Sequence, residues 1–132
     1  MGIHAYLTFA GNCQEALEFY QSCLGGELSV QTVGDTPASE EMSSRMRACV
    51  VMGILRGEDF VIYGTDLVPE TGRTVGNAVS LMLQCATEAE VRERFERLGV
   101  GGRRINEVEQ SFWGGVTATV VDGFGVRWIL VS

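Results

Sequence analysis

The first residues of the chain alternate between apolar and polar side chains. The apolar set is Ile3, Ala5, Leu7 and Phe9, and the alternating set is His4, Tyr6 and Thr8. Because successive side chains of a strand point to opposite faces, residues 3–10 are predicted to form a strand with one buried face. A helix is predicted to begin near Cys13, since Asn12 and Glu15 have the spacing of a capping box and apolar residues then recur at helical spacing up to Gly25 and Gly26.

The remainder of the first half predicts three more strands. Residues 27–33, 47–55 and 59–63 are apolar-rich stretches, and residues 34–44 are predicted to be a polar loop. The order of elements is therefore β-α-β-β-β.

The second half predicts the same order. Residues 79–85 alternate, and Thr87 with Glu90 forms a second capping-box pattern that opens a helix near Glu88. Three strands are predicted to follow, over residues 103–109, 115–121 and 126–131.

An offset of 74 residues aligns the apolar positions of the two halves, placing Leu7 on Leu81 and Leu17 on Val91. Such a period indicates duplication of one supersecondary unit. We predict an α+β fold of two βαβββ modules in a single domain, with module 1 at about 1–66, a linker at 67–76 and module 2 at about 77–132. The second face of each first strand is predicted to line a central trough in a curved mixed sheet.

Charge and composition narrow the class of protein. The chain has 132 residues, 45% of them hydrophobic, and a net charge of −7 from 17 acidic and 10 basic side chains. A negative field disfavours nucleic acid and anionic membrane surfaces as partners. A local anion patch and a solvated helix face are both open readings of the arginines between residues 92 and 104. No membrane span or secretion signal is visible, so we expect a cytoplasmic protein.

The reactive side chains match no common catalytic or metal motif. Cys13, Cys23, Cys49 and Cys85 form no C-x-x-C pair, and His4 is the sole histidine, which excludes a zinc knuckle. We expect reduced, mostly buried thiols. No phosphate loop, dinucleotide-binding glycine motif or G-x-S-x-G elbow is present.

Two groups of motifs carry a resemblance to a known superfamily. The first comprises Tyr6-Leu7-Thr8-Phe9-x-Gly11-Asn12, Glu15-Ala16-Leu17-Glu18-Phe19-Tyr20 and Leu24-Gly25-Gly26-Glu27. The second comprises Gln110-x-Phe112-Trp113-Gly114 and Val121-Asp122-x-Phe124-Gly125-Val126-x-Trp128. The chain resembles the vicinal oxygen chelate (glyoxalase/bleomycin-resistance/dioxygenase) superfamily. More narrowly, it is similar to the phosphonate-operon-associated branch, whose proteins are often labelled demethylubiquinone methyltransferase-like.

The resemblance implies a trough that in many members holds a divalent metal through His and Glu ligands. Of the four corresponding positions only His4 offers a strong ligand, since the others are Ser80, Tyr63 with Ile62 beside it, and Ile129. Catalytic metals use about three protein ligands. We therefore expect no metal and no other cofactor, with a relocated divalent-metal site at Asp66, Glu107 or Glu109 as the alternative.

Two hypotheses about function stay open. The first is a metal-free binding protein for a small molecule, with Tyr6, Thr8, Tyr63, Trp113 and Trp128 lining the pocket and His4 at its rim. The second is a metal-dependent lyase or dioxygenase-like enzyme. The methyltransferase label has no support from a glycine-rich nucleotide turn. A homodimer is expected because two small modules leave long sheet edges for a partner to cover.

Overall fold

A computed structural model describes the backbone of residues 1–132 and every side chain except that of residue 38. The chain divides into two units, Met1–Thr74 and Val75–Ser132, which are called module 1 and module 2 below.

Module 1 is built on a four-stranded mixed sheet. Its elements are β1 (Ala5–Thr8), α1 (Cys13–Leu24), β2 (Glu27–Thr32), 3-10 turns at Val33–Asp35 and Pro37–Glu41, α2 (Ser44–Arg47), β3 (Val50–Arg56) and β4 (Val61–Thr65). The strand order is β1-β4-β3-β2. β1 runs parallel to β4, and the other two pairings are antiparallel.

Module 2 repeats this plan. Its elements are β5 (Leu81–Gln84), α3 (Glu88–Leu98), β6 (Arg103–Gln110), β7 (Val116–Val121) and β8 (Arg127–Val131). The strand order is β5-β8-β7-β6, with β5 parallel to β8. The predicted α+β fold of two βαβββ modules is therefore confirmed.

The repeat of 74 residues is approximate. In module 1 the Phe9 amide donates to Thr65 beyond the end of the β1–β4 pairing, and in module 2 the Cys85 amide donates to Val131 in the same way. The first strands therefore correspond at an offset of 76, one face-preserving step of two residues from the sequence alignment. His4 then corresponds to Ser80.

Residues 34–44 differ from the predicted polar loop. They contain most of the two 3-10 turns and the start of α2. Local side chains explain the order, because Asp35 accepts a hydrogen bond from the Thr32 amide and Ser43 accepts one from the Met46 amide. Pro37 supplies the fixed φ that favours the first position of a helical turn.

A distant carboxylate caps α1, in place of the predicted Asn12. The Asn12 side chain forms no capping hydrogen bond. Instead, Asp66 lies just beyond β4, and its Oδ1 accepts from the Gly11 and Cys13 amides, both at 2.9 Å. Its Oδ2 accepts from the Val50 amide at 2.9 Å. A negative charge at a helix N-terminus is favourable, so Asp66 stabilises α1 while it joins the ends of β4 and β3.

The predicted cap of α3 is local. The Thr87 hydroxyl accepts from the Glu90 amide at 3.1 Å, as expected. The Glu90 carboxylate reaches one residue further than a standard capping box, to the Ala86 amide. The two modules therefore solve the same capping problem in different ways.

Close packing between α1 and the sheet requires two glycines. A Cβ at Gly53 would lie 2.4 Å from a methyl of Leu17, and one at Gly64 would lie 2.9 Å from the Cys13 sulfur. These glycines are direct neighbours on β3 and β4. The face of the module 1 sheet that carries them is therefore the face that α1 covers.

We expect Asp66→Ala to lower the free energy of unfolding by about 2–4 kcal/mol, because three backbone donors lose a charged acceptor. Asp66→Asn retains one acceptor oxygen and should cost about 1–2 kcal/mol. Urea unfolding followed by circular dichroism measures both values. Glu70→Ala, an exposed site, is the control and should change stability by less than about 0.5 kcal/mol. An Asp66→Ala value as small as that of the control would contradict the capping role.

Candidate functional site

The face of the module 1 sheet opposite α1 carries two adjacent tyrosines. Tyr6 on β1 pairs with Tyr63 on β4, and Tyr63 pairs with Ile54 on β3. Thr8 lies two residues along β1 from Tyr6, on the same face, because side chains alternate along a strand. The sequence prediction that Tyr6, Thr8 and Tyr63 share a face agrees with this register.

The tyrosine face offers free polar groups. Tyr6 retains 55% of its surface exposed, while Tyr63 and Thr8 are half-buried. The His4 ring lies 5.7 Å from the Tyr63 ring, tilted by 54°. Within the part of the chain whose side chains are described, neither phenol hydroxyl has a hydrogen-bond partner. This face combines aromatic surface with uncommitted donors, as small-molecule sites do.

A groove of about 630 Å³ opens at the end of this sheet. The start of β1 and the β3–β4 turn form its walls, through Ile3, His4, Ala5, Arg56, Gly57, Glu58, Asp59, Phe60 and Val61. Sequence analysis treated residues 56–58 only as a turn and missed the groove. Its signal was the run Arg56-Gly57-Glu58-Asp59-Phe60, which places both charge signs beside an aromatic ring.

In module 2, Trp128 lies on the helix-facing side of its sheet. It pairs with Val120 and Leu81, is 2% exposed, and donates its indole N–H to Asp122 Oδ2 at 2.8 Å. The Asp122 Oδ1 accepts from the Phe124 and Val126 amides. Trp128 thus anchors the β7–β8 turn, and it does not share a face with Ile129 or Met82.

Trp113 and Phe112 lie at the turn between β6 and β7. Trp113 is 63% exposed and the neighbouring Phe112 ring is fully exposed. The turn closes through a hydrogen bond from the Ser111 amide to the Gly115 carbonyl. The structure therefore separates the two tryptophans that the sequence placed in one pocket, one in a core and one at a surface turn.

The four positions matched to metal ligands form two equivalent pairs. His4 corresponds to Ser80, and the strand register makes Tyr63 correspond to Ile129. Among the residues with described side chains, no three of His, Cys, Asp and Glu lie close enough to hold a metal ion. Both carboxylate oxygens of Asp66 already accept backbone hydrogen bonds, which leaves it poorly suited to a relocated site.

The cysteines are poor nucleophiles. Burial, and then the charge of Asp66, raises the pKa of Cys13 to about 12. Burial also raises the pKa of Cys85, with a further contribution from Glu90. A thiol that stays protonated at neutral pH is neither a nucleophile nor a metal ligand. All four cysteines are free thiols.

The arginines of α3 and β6 do not form an anion patch. Glu88, Glu90, Glu93 and Glu96 pair with Arg92, Arg94, Arg97 and Arg104, respectively, at 2.9–3.4 Å. The cationic side chains that the sequence grouped together are thus largely neutralised in place.

None of the helices that the structure describes has the length and apolar character of a membrane span.

Comparisons with known proteins agree with this architecture. Protein YjdN from Escherichia coli (strain K12) is 29% identical over 139 residues, covering 98% of this chain and 94% of the relative. The crystal structure of protein PA1353 from Pseudomonas aeruginosa has 28% identity and a TM-score of 0.87, covering 98% of this chain and 96% of that one. A glyoxalase/bleomycin resistance protein/dioxygenase superfamily member from Sphaerobacter thermophilus DSM 20745 shares the fold, with 20% identity, a TM-score of 0.58 and coverage of 99% and 97%.

Paired βαβββ modules with one helix-free sheet face, together with these likenesses, define a protein of the glyoxalase-like class. The family model described as 3-demethylubiquinone-9 3-methyltransferase matches residues 1–131, and the chain belongs to that family. The resemblance drawn from the sequence motifs is thereby confirmed.

The two tryptophans should respond differently to truncation. Trp128→Ala should cost about 3–5 kcal/mol of unfolding free energy, because it empties a core site and leaves Asp122 without a donor. Trp113→Ala should change stability by less than about 0.5 kcal/mol, since the ring is exposed. Chemical denaturation measures both, and acrylamide should quench the fluorescence of Trp113 selectively. Equal costs for the two variants would contradict these placements.

Thiol titration tests the cysteine environments. With Ellman's reagent at pH 8, we expect Cys49 to react quickly in the native protein, while the buried Cys13, Cys23 and Cys85 are protected. All four should react in denaturant. Because the pKa of Cys13 is raised from 9.0 to about 12, its contribution to stability is complete below pH 9 and is lost as the pH rises toward 12. Rapid labelling of two or more native thiols would be inconsistent with this burial.

Proposed function

We propose that this protein binds a small, partly planar molecule on the tyrosine face of module 1, without a metal. The observation that carries the proposal is the adjacent pair Tyr6 and Tyr63 on the face that α1 leaves uncovered, with uncommitted hydroxyl groups. Aromatic walls supply affinity through buried apolar area, and a few hydroxyls fix orientation.

Thr8 and His4 complete the proposed site in module 1, and Trp113 of module 2 is retained as a proposed ligand contact because its ring is exposed. Trp128 is left out, since its ring is buried and its only donor is bonded to Asp122.

Metal-free binding is supported by the chemistry of the ligand positions. Ser80 and Ile129 offer no imidazole or carboxylate, and Tyr63 has a phenol where a carboxylate would be needed. A site with one strong ligand falls short of the three that catalytic metal sites use. The metal-dependent lyase or dioxygenase-like alternative is therefore an outcome to be tested with added metal.

The family label names a methyl-transfer activity, which we do not carry over to this chain. No glycine-rich nucleotide turn follows a strand in its sequence. We place the protein in the cytoplasm, which is supported by four free thiols in a chain of high apolar content. Its net charge of −7 supports a partner other than nucleic acid or an anionic membrane.

Binding should depend on the tyrosines and be independent of metal. The probe is the neutral planar dye prodan, titrated by fluorescence in the presence of EDTA. Tyr63→Ala and Tyr6→Ala should each weaken binding by about 1–3 kcal/mol, the range for aromatic anchors. Val100→Ala, at an exposed site after α3, is the control and should bind normally. Unchanged affinity in both tyrosine variants, or binding that appears only after zinc, nickel or manganese is added, would overturn the proposal.

We also propose that the protein is a homodimer. β1 and β2 are the edge strands of the module 1 sheet, and β5 and β6 are those of module 2. Edge strands with unpaired backbone groups are commonly covered by a partner. Sedimentation velocity at micromolar concentration should give a species of about twice the chain mass of 14.3 kDa. A single monomeric boundary across that range would count against the dimer.

A further inference from the structure

We propose that the groove at the end of the module 1 sheet selects ligands by charge, taking an apolar molecule that carries both an amine and a carboxylate. This proposal rests on the proposed function, because it assigns the groove to one end of the molecule bound on the tyrosine face.

The groove contains charges of both signs that the protein leaves unpaired. Arg56 lies at the end of β3, and Glu58 and Asp59 lie in the turn that follows. Within the described part of the chain, none of these three has an ion pair or a side-chain hydrogen bond. By contrast, four arginines of module 2 are paired with glutamates. One guanidinium can receive a carboxylate, and two carboxylates can receive an ammonium group.

The groove continues directly from the tyrosine face. Val61 and Arg56 are paired neighbours, and each precedes or follows by two residues the paired Tyr63 and Ile54. They therefore lie on the same face, one row along. His4 joins the two regions, since it lines the groove and its ring packs 5.7 Å from that of Tyr63.

The remaining walls of the groove are apolar. Phe60 folds back over the turn so closely that a Cβ on Gly57 would lie 2.1 Å from its ring. The turn is closed by a hydrogen bond from the Gly57 amide to the Phe60 carbonyl. Ile3, Ala5 and Val61 add aliphatic surface. An apolar body beside a charged end group fits this combination.

The groove carries one cation and two anions when His4 is neutral, which gives it a formal charge of −1. A ligand of net charge zero or +1 complements it, whereas a ligand with only a carboxylate meets two like charges. The expected order of affinity is therefore zwitterion, then amine, then carboxylate.

Three probes with one apolar body test this order. They are 3-(2-naphthyl)alanine as the zwitterion, 2-(2-naphthyl)ethylamine as the cation and 3-(2-naphthyl)propionate as the anion. Isothermal titration calorimetry of the full chain in EDTA should give steps of about threefold to fivefold between successive probes, the scale of exposed ion pairs. The preference should shrink in 0.5 M NaCl because of screening. Equal affinities, or tightest binding of the propionate, would refute the proposal.

Charge-removing variants assign each contact. Arg56→Gln should remove the advantage of the zwitterion over the amine, and the double variant Glu58→Gln with Asp59→Asn should remove the advantage of the amine over the propionate. The matched controls are Arg103→Gln and the double variant Glu40→Gln with Glu41→Gln, which are exposed elsewhere and should leave the order intact. An order that survives in the groove variants would sink the proposal.

Prodan separates the two failures. If prodan binds in a manner that depends on Tyr63 but the three probes bind equally, the charge selection is wrong and the binding function stands. If neither prodan nor any probe binds, the proposed function itself fails, and the groove assignment falls with it.

Discussion

The Asp66 carboxylate is the interaction on which the arrangement of module 1 most depends. It accepts hydrogen bonds from the Gly11, Cys13 and Val50 amides, which belong to the start of α1 and the start of β3. Asp66 itself follows β4 directly. One buried side chain thus joins three elements that are far apart in sequence. Because β1 leads into the Gly11 turn, this connection also holds β1 against β4, which is the pairing that brings Tyr6 beside Tyr63.

Module 2 reaches the same topology through a different aspartate. Asp122 lies in the β7–β8 turn, where it binds two backbone amides and the indole of Trp128. Its first helix turn is capped locally by Thr87. Duplicated units with different internal anchors can lose or gain site residues independently. His4 and Tyr63 have Ser80 and Ile129 as their counterparts, so the polar and aromatic character of the tyrosine face belongs to module 1.

Local patterns predicted what local physics determines. Alternation along β1 predicted the shared face of Tyr6 and Thr8, and the Thr-x-x-Glu spacing predicted the cap of α3. The Asn12 cap was predicted wrongly because its competitor, Asp66, lies 54 residues away and leaves no trace in the local sequence. Trp128 was placed in the pocket from a family motif, whereas its side is decided by strand register and by the buried partner Asp122. The groove was missed because the turn that forms it was read for backbone conformation alone.

The central claim is that a ligand binds the tyrosine face of module 1 without a metal. Amide-resolved NMR of the ¹⁵N-labelled full chain, titrated with prodan in EDTA, tests it most directly. The account predicts chemical-shift changes concentrated at β1 and β4, including the amides of Tyr6 and Tyr63, and unchanged after a divalent metal replaces the chelator. Shifts confined to the helices, or shifts at β1 and β4 that arise only when the metal is added, would contradict it.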